Sequence, residues 1–159
     1  MKADGDPQTY EVALKGGTLR RGFWLYVWEV TTSNGQKLLY VGRTGDISSP
    51  KAASPFNRMG QHLGSIKASN MLRKHLGKRD VVPEDCIFRF VAHGPILAEA
   101  ADWSGHVPRR DVVGGLEQQL ERALRQAGWE VMNTVKGSFE LDEELWEEIR
   151  PALTERFGA

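Results

Sequence analysis

Residues that can bind phosphate and move protons recur along the chain at spacings that would bring them together. Arg58 and His62 stand four residues apart, so a helix would place both on one face. Glu117 and Glu121 have the same spacing further along the chain. Arginine presents planar donors that bind two oxygens at once, histidine exchanges protons near neutral pH, and carboxylates bind hard cations. These residue types suit chemistry on an anionic substrate.

Two tyrosines lie in a segment whose pattern predicts a β-hairpin. The runs FWLYVWEVT and KLLYVG are rich in aromatic and β-branched residues, and Asn34-Gly35 between them is a strong turn signal. The hairpin would hold Tyr26 near the middle of one strand and Tyr40 at the end of the next. Arg43 follows Tyr40 closely, at the point where the second strand is expected to end.

Other patterns predict the helices that carry the remaining candidates. After the loop SSPKAASP, PFNRMGQHLG predicts one helix, and KASNMLRKHLGKR predicts a second helix that ends at Gly77. The segment CIFRFVAHG predicts a third strand, and residues 95–115, punctuated by Gly and Pro, predict a long loop. GLEQQLERALRQAGW predicts a long amphipathic helix, and the acidic tail FELDEELWEEIRPALTERFGA predicts a final one.

Composition limits the class of protein. The 159 residues, with 40% hydrophobic content, match one ordinary domain. Cys86 is the only cysteine, which excludes a disulfide framework and a zinc site built from several thiolates of one chain. No apolar run of about 18 residues and no signal peptide is recognisable, so a cytoplasmic protein that does not contact a membrane is expected.

The zero formal net charge hides a division between the two halves of the sequence. Residues 1–80 contain 13 Lys and Arg against 6 Asp and Glu, a charge of +7, whereas residues 81–159 contain 8 against 15, a charge of −7. An electropositive substrate face beside an acidic flank would produce such asymmetry. The second predicted helix could follow a nucleic-acid backbone or be a solvated face; its basic residues are Lys67, Arg73, Lys74, Lys78 and Arg79.

The order of these segments resembles the GIY-YIG nuclease family. LYV, LLYVGRTG, RMGQH, a helix that carries Leu-Glu and an Asn in VMNT follow one another over residues 22–135. Each short motif is common by itself, and their joint order is much more specific. One departure is Trp24, which stands where the family has its leading glycine, a residue that is usually structural.

The resemblance implies an α/β (α+β) fold with a small three-stranded antiparallel sheet flanked by helices. It divides the chain into an N-terminal arm over residues 1–21, a nuclease domain over residues 22–135, and a C-terminal acidic helix over residues 136–159 packed on the same domain. The family hydrolyses phosphodiester bonds with one divalent metal ion, Mg²⁺ or Mn²⁺. Nucleic acid is therefore the implied partner, with DNA as the expected substrate.

The resemblance also implies roles for individual residues. Tyr40 would contact the attacking water, and Tyr26 would share a proton relay or orient phosphate. Arg43 and Arg58 would neutralise phosphate charge, and His62 would accept, donate or relay a proton. An asparagine would hold the site's geometry by hydrogen bonds. The implied catalytic residues are Tyr26, Tyr40, Arg43, Arg58, His62 and Asn133.

The metal ligand is open between two glutamates, because the family supplies one such carboxylate on the long helix. Glu117 precedes Asn133 by 16 residues and Glu121 precedes it by 12, and each follows a leucine. Glu117 is favoured because it lies beside Gly114 and Gly115, near the end of the predicted loop, where a phosphate could approach. Glu121 stays an alternative.

Two further hypotheses belong to other functional classes. The zero net charge and the acidic second half suggest a binding module that keeps this fold with little catalytic power. The final helix, with Trp146 and Ile149, suggests a homodimer in which these side chains dock a partner subunit. No role is assigned to His75, His93 or His106, because none of them has a partner at ligand spacing. No role is assigned to any tryptophan, because tryptophans more often lie in a core or an interface than form base-stacking platforms.

Overall fold

The computed structural model describes residues 6–46 and 51–159 as an α+β protein with a three-stranded antiparallel sheet and four α-helices. The strands are β1 Phe23–Thr31, β2 Lys37–Arg43 and β3 Ile87–Leu97. The α-helices are α1 Pro55–Leu63, α2 Met71–Gly77, α3 Trp103–Gln126 and α4 Glu143–Thr154. Short 3-10 helices lie at Gly16–Leu19, Pro83–Asp85 and Glu155–Phe157. The first five residues of the expected arm and residues 48–50 of the loop before α1 lie outside the described residues.

β1 and β2 form the predicted hairpin, in which Tyr26 is opposite Gly42. Gly35 has a φ of +84°, and its N–H donates to the carbonyl of Thr32. A positive φ favours glycine, so Asn34-Gly35 closes the turn as the sequence indicates. β3 pairs with the other side of β1, which gives the strand order β2-β1-β3. The predicted sheet is therefore confirmed.

Alternation along the strands sends side chains to two opposite faces of the sheet. α1 and α2 cover one face, where the buried cluster consists of Tyr26, Trp28, Val30, Leu38, Tyr40, Leu72, Leu76 and Met132. α3 and α4 cover the other face, where the buried cluster includes Leu25, Val27, Leu39, Val41, Val113, Leu116, Leu120, Leu124, Trp146, Ile149 and Leu153. Both site tyrosines thus lie on the α1 side of the sheet.

The loop predicted over residues 95–115 is wrong for most of its length. β3 extends to Leu97, and α3 begins at Trp103. The carboxylate of Asp102 caps this helix by accepting a hydrogen bond of 2.9 Å from the N–H of Gly105. Pro108 lies inside the helix and removes one of its backbone hydrogen bonds. Capping and packing of the helix against the sheet outweigh that local cost.

Gly114 and Gly115 lie inside α3, and packing leaves no room for a side chain at either position. A Cβ on Gly114 would overlap the guanidinium of Arg43 and lie 2.8 Å from the ring of Phe139. A Cβ on Gly115 would overlap the carbonyl oxygen of Glu140. The glycine pair therefore marks a close approach of two segments, and its interpretation as the end of a loop is wrong.

α4 packs on the core of the domain through the two side chains that were expected to dock a partner subunit. Its N-terminus is capped by Asp142, whose carboxylate accepts a hydrogen bond of 3.0 Å from the N–H of Leu145. Trp146 and Ile149 are each 4% exposed and lie in the cluster between α3 and the sheet. The chain's own core therefore uses these two side chains, and the expected homodimer stays a prediction.

The described part of the arm, residues 6–21, is largely exposed. Arg21 at its end is held by Glu99, whose two carboxylate oxygens accept hydrogen bonds of 2.9 and 2.6 Å from the guanidinium.

No helix within residues 6–46 and 51–159 is long and apolar enough to cross a lipid bilayer.

Candidate active site

Three of the predicted site residues meet on the α1 side of the sheet. Tyr26 of β1 and His62 of α1 share a hydrogen bond of 2.7 Å between the hydroxyl and Nε2, in which either atom can donate. The ring of Tyr40 from β2 lies edge to face with His62 at 5.0 Å between centroids. His75 of α2 packs against Tyr40 at 5.6 Å. The tyrosines and His62 are buried, which fixes their relative positions.

Burial keeps this aromatic cluster uncharged. It lowers the pKa of His62 to about 4, and the positive charge of Arg58 acts in the same direction. It raises the pKa of Tyr40 to about 12 and that of Tyr26 even further, although Arg58 opposes both shifts. At neutral pH the two phenols therefore keep their protons and the imidazole is neutral. Such groups can pass protons along hydrogen bonds without holding a charge.

Gly42 allows Tyr26 to lie against β2. The two residues are opposite each other in the hairpin, and a Cβ on Gly42 would overlap the ring and hydroxyl of Tyr26. Any larger residue at this position would have to displace the tyrosine from its hydrogen bond with His62. The glycine of LLYVGRTG therefore positions a side chain on the neighbouring strand.

Arg58 stands on α1 one turn before His62, as its spacing predicts. The helix is capped by Ser54, and the Arg58 guanidinium forms an ion pair with Asp46 and donates to Gln61 Oε1 at 3.1 Å. Burial is the largest cause of the shifted pKa values around it, and the charge of Arg58 contributes to each of them. The groups that feel this charge are Tyr26, Tyr40, His62 and Glu117.

Arg43 and Glu117 form a buried ion pair on the α3 side of β2. Arg43 Nε lies 3.3 Å from Glu117 Oε2, and the two side chains are 9% and 11% exposed. The guanidinium also donates from Nη1 to the carbonyl of Arg110 at 3.0 Å and lies over the ring of Phe139. Gly114 provides the space that the guanidinium occupies. The ion pair thus joins the end of β2 to the middle of α3.

Burial and ion pairing act on Glu117 in opposite directions. Burial raises the pKa of this carboxyl to about 7, although the charges of Arg43 and Arg58 lower it. Burial also lowers the pKa of Arg43, which Glu117 opposes. Burial is thus the larger influence on the pKa of each partner, and the ion pair opposes it in both. The negative charge of Glu117 in turn raises the pKa of Tyr40, after burial, so the carboxylate lies within electrostatic reach of the tyrosine cluster.

Glu121, the alternative metal ligand, already uses both carboxylate oxygens. Oε1 accepts a hydrogen bond of 2.9 Å from Arg125 Nε, and Oε2 accepts one of 2.8 Å from the N–H of Val135. Arg125 also donates to the carbonyls of Val131 and Asn133. Glu121 and Arg125 therefore fasten the segment after α3 to the helix. This geometry leaves Glu117 as the better candidate to hold a metal ion.

Asn133 binds the backbone at the edge of β2. Its Oδ1 accepts a hydrogen bond of 3.0 Å from the N–H of Val41, and its Nδ2 donates to the Val41 carbonyl at 2.8 Å. Just before it, the N–H of Leu39 donates to Glu130 and the N–H of Met132 donates to Leu39. The asparagine side chain thus extends a short edge pairing toward the end of β2, a contact that holds the strand beside the site.

A divalent ion at this site would find the buried carboxylate of Glu117 next to Arg43. Residues 6–46 and 51–159 contain no group of three or more His, Cys, Asp or Glu side chains able to hold a metal. Mg²⁺ is commonly bound through one or two carboxylates, with water and substrate phosphate as its other ligands. The buried Arg43 Nε, Arg58 Nε and His62 Nδ1 make no hydrogen bond within the described part of the chain. An anionic ligand would satisfy the two guanidinium donors.

The structure therefore assembles most of the predicted site and adds residues that the sequence did not indicate. Asp46 and Phe139 belong to no recognisable motif. His75 had a detectable signal, because it lies on the apolar side of α2 with Leu72 and Leu76, which indicates an inward ring. The assembled residues are Tyr26, Tyr40, Arg43, Arg58, His62 and Glu117, while Glu121 and Asn133 lie next to them in structural contacts.

The basic helix is less free than its sequence suggests. Arg73 pairs with Glu84 at 2.7 Å and Arg79 pairs with Glu130 at 3.3 Å.

Comparisons of the chain with protein-family models, with curated proteins and with solved structures found no match. The resemblance to GIY-YIG nucleases therefore rests on the order of the motifs in the sequence.

Proposed function

We propose that this chain is a metal-dependent endonuclease of the GIY-YIG type that hydrolyses phosphodiester bonds in DNA. The observation that carries the proposal is the buried carboxylate of Glu117, which pairs with Arg43 and lies within electrostatic reach of Arg58 and of the two tyrosines that pack on His62. These residues occur along the chain in the order of the family motifs. Hydrolysis of a phosphodiester needs a positioned water, positive charge for the transition state and help for the leaving oxygen.

Two arginines would bind the phosphate. Arg58 and Arg43 approach the site from α1 and β2, and each has a buried Nε without a hydrogen-bond partner among the described residues. A phosphate would offer these donors charged acceptors, and a guanidinium can bind two phosphate oxygens at once. In the free protein their charges are met by carboxylates of Asp46 and Glu117. Phosphate would therefore exchange with these carboxylates as the partner of the arginines.

Glu117 would hold the divalent ion, Mg²⁺ or Mn²⁺. Its charge acts on both tyrosines, and both arginine charges act on it. A metal ligand must be ionised, so the raised pKa of Glu117 makes metal binding tighter as the pH rises through about 7. When bound, the ion supplies positive charge that polarises the phosphate and stabilises the leaving oxygen. Glu121 stays in its contacts with Arg125 and Val135.

Tyr40 would orient the attacking water. Among the described residues no hydrogen bond reaches its hydroxyl, whereas the hydroxyl of Tyr26 is bound to His62. A free phenol can accept a hydrogen bond from water or donate one to it. His62 packs between the two tyrosines and is neutral at physiological pH, so it can exchange a proton with Tyr26 through the hydrogen bond that joins them. Asn133 keeps the end of β2 in place.

A binding module with little catalytic power is the second candidate. Burial and the charge of Glu117 raise the pKa of Tyr40 to about 12, which makes its ionisation as a general base costly. The formal net charge of zero also gives no overall attraction for nucleic acid. This alternative predicts that the wild type binds DNA and never cuts it, with either metal ion.

Replacing Arg58 by alanine tests the proposed function. We expect the wild type to cut plasmid or branched DNA with Mg²⁺ or Mn²⁺, and Arg58→Ala to cut about a hundredfold more slowly, because transition-state charge loses a donor. Arg122→Ala is the matched control, since Arg122 is exposed on α3 and its loss removes the same charge. Equal rates for Arg58→Ala and Arg122→Ala would contradict the assignment of the site. Binding without cutting by the wild type would favour the binding module.

A further inference from the structure

Trp103 differs from the other tryptophans of the chain. Trp24, Trp28 and Trp146 are at most 5% exposed, and Trp129 is partly buried. Trp103, the first residue of α3, is 43% exposed. The core therefore does not account for this side chain, and a large aromatic ring is presented to solvent at the beginning of the helix that carries Glu117.

The ring of Trp103 is held in place from beneath. It stacks on the imidazole of His106 at 5.3 Å between centroids and 12° between planes. His106 is fully buried, donates from Nε2 to the carbonyl of Gly45 at 2.9 Å, and packs against Phe23 at 5.1 Å. An aromatic ring fixed by a buried support loses little conformational entropy when a second ring stacks on it. Trp103 is therefore preorganised for stacking.

The guanidinium of Arg110, which is paired with Asp111 at 2.8 Å, accompanies the exposed ring. The Arg110 guanidinium carbon lies 5.9 Å from the centre of the Trp103 ring. The carbonyl of Arg110 accepts the hydrogen bond from Arg43, so the same residue contacts the site directly. An aromatic ring next to an arginine is the combination with which proteins bind single nucleic-acid strands, the ring stacking on a base and the cation meeting a phosphate.

Trp103, Arg110 and Glu117 also lie in a row along α3. They are seven residues apart, and positions seven apart on an α-helix differ by only about 20° around the axis. At 1.5 Å per residue, Trp103 and Glu117 are separated by about 21 Å along the axis, which is the length of about six stacked nucleotides at 3.4 Å each. The exposed ring and the buried carboxylate are therefore separated by the length of a short single strand.

We propose that Trp103 is a base-stacking platform that binds an unpaired base of the substrate strand about six nucleotides from the phosphate at Glu117, with Arg110 on an intervening phosphate. The proposal rests on the proposed function for the identity of the polymer and deepens it. It predicts that the enzyme prefers single-stranded or branched nucleic acid over a fully paired duplex, because a paired base inside a duplex has no free face to offer.

The test is binding without cleavage, measured by fluorescence anisotropy in EDTA with fluorescein-labelled oligothymidylate, oligouridylate and a blunt duplex. We expect Trp103→Ala to weaken single-strand binding on the order of tenfold, and Trp103→Phe, which keeps a stacking ring, to weaken it much less. Arg110→Ala should lower the salt slope of the binding constant by about 0.7, the value for one phosphate contact on a single strand. Ile87→Ala, which removes an exposed apolar side chain from β3, is the control and should bind as the wild type does.

Abasic substitution in the oligonucleotide makes the test independent of protein folding. With wild-type protein, removing the stacked base should lower the binding affinity as much as Trp103→Ala does. The variant should bind the abasic oligonucleotide as tightly as it binds the complete one. Wild-type affinity for Trp103→Ala, or an equal loss on the blunt duplex, would overturn the platform even if the protein cuts DNA. Trp103-dependent binding by a protein that never cuts would support the platform and refute the hydrolytic function. An absence of binding to every oligonucleotide would overturn both.

Discussion

Replacing Glu117 by glutamine should lower the rate of DNA cleavage by about a thousandfold, which corresponds to about 4 kcal/mol of transition-state stabilisation. Glutamine keeps the size of the side chain and loses the negative charge that would hold a divalent ion. The measurement is single-turnover cleavage of plasmid DNA at saturating Mg²⁺ or Mn²⁺. The loss of rate should not be restored by raising the metal concentration, because the missing carboxylate would be a direct ligand of the ion and not only a nearby negative charge.

Glu121→Gln is the matched control, since the same change is made one turn further along the same helix. We expect it to lower the free energy of unfolding by about 2 kcal/mol, because the charge-assisted hydrogen bonds with Arg125 and Val135 are weakened. Cleavage measured well below its melting temperature should stay within about tenfold of the wild type. The opposite pattern, with Glu121→Gln inactive and Glu117→Gln active, would identify Glu121 as the metal ligand.

The stability of the wild type relative to Glu117→Gln should depend on pH in a direction that burial determines. Burial raises the pKa of Glu117 from 4.5 to about 7, so between these values the native chain binds more protons than the unfolded chain. The stability of the wild type therefore falls as the pH rises from about 4.5 to about 7. Glutamine does not ionise, so its unfolding free energy lacks this dependence. Between about pH 4 and about pH 8, the difference in unfolding free energy between variant and wild type should therefore shift in favour of the variant by a few kcal/mol, at about 1.4 kcal/mol per pKa unit. Urea unfolding at low and high pH measures this gain, and an equal difference at both pH values would contradict it.

Tyr40→Phe should lower the cleavage rate by about a hundredfold to a thousandfold without changing the stability of the fold. The hydroxyl that is removed makes no hydrogen bond within the described residues, so phenylalanine fills the same space at no cost in native contacts. What is lost is the group that would position the attacking water. Cleavage kinetics and urea unfolding of the same protein preparation separate these two effects.

Tyr26→Phe provides the contrast to Tyr40→Phe. Its hydroxyl is buried and bound to His62, so its loss should lower the free energy of unfolding by about 1 kcal/mol and leave the Nε2 of His62 without a partner. Cleavage should fall less than for Tyr40→Phe if Tyr26 acts through His62. Full activity of Tyr40→Phe would remove Tyr40 from the reaction and contradict its assignment as the group that orients the attacking water.

Local patterns were enough to predict the elements that carry the site. Asn34-Gly35 between two runs of β-forming residues specifies the hairpin, because the turn needs a positive φ that glycine adopts without strain. Ser54-Pro55 specifies the start of α1 through a cap and a preset φ. Arg58 and His62 then share a helix face, and Tyr26 and Tyr40 share a sheet face. These relations depend on neighbours in sequence, so the sequence alone determines them.

The start of α3 could not be read locally, because local signals favoured a loop. Pro108 and the pair Gly114 and Gly115 are ordinary helix breakers, and only the approach of Arg43, Phe139 and Glu140 explains why glycine is needed inside a helix. The acidic tail likewise looked free to dock a partner, although Trp146 and Ile149 complete the core. In each case a segment distant in sequence decides the outcome.

The sequence by itself thus determined the types of the catalytic candidates, their order and the faces of the hairpin and of α1 on which they lie. Only the tertiary structure distinguished Glu117, buried against Arg43, from Glu121, which is tied to Arg125 and Val135. It also separated Trp103 from the buried tryptophans. The physical reason is that burial and contacts belong to the packed environment of a side chain, and two glutamates one helical turn apart, each after a leucine, can face different surroundings in the fold.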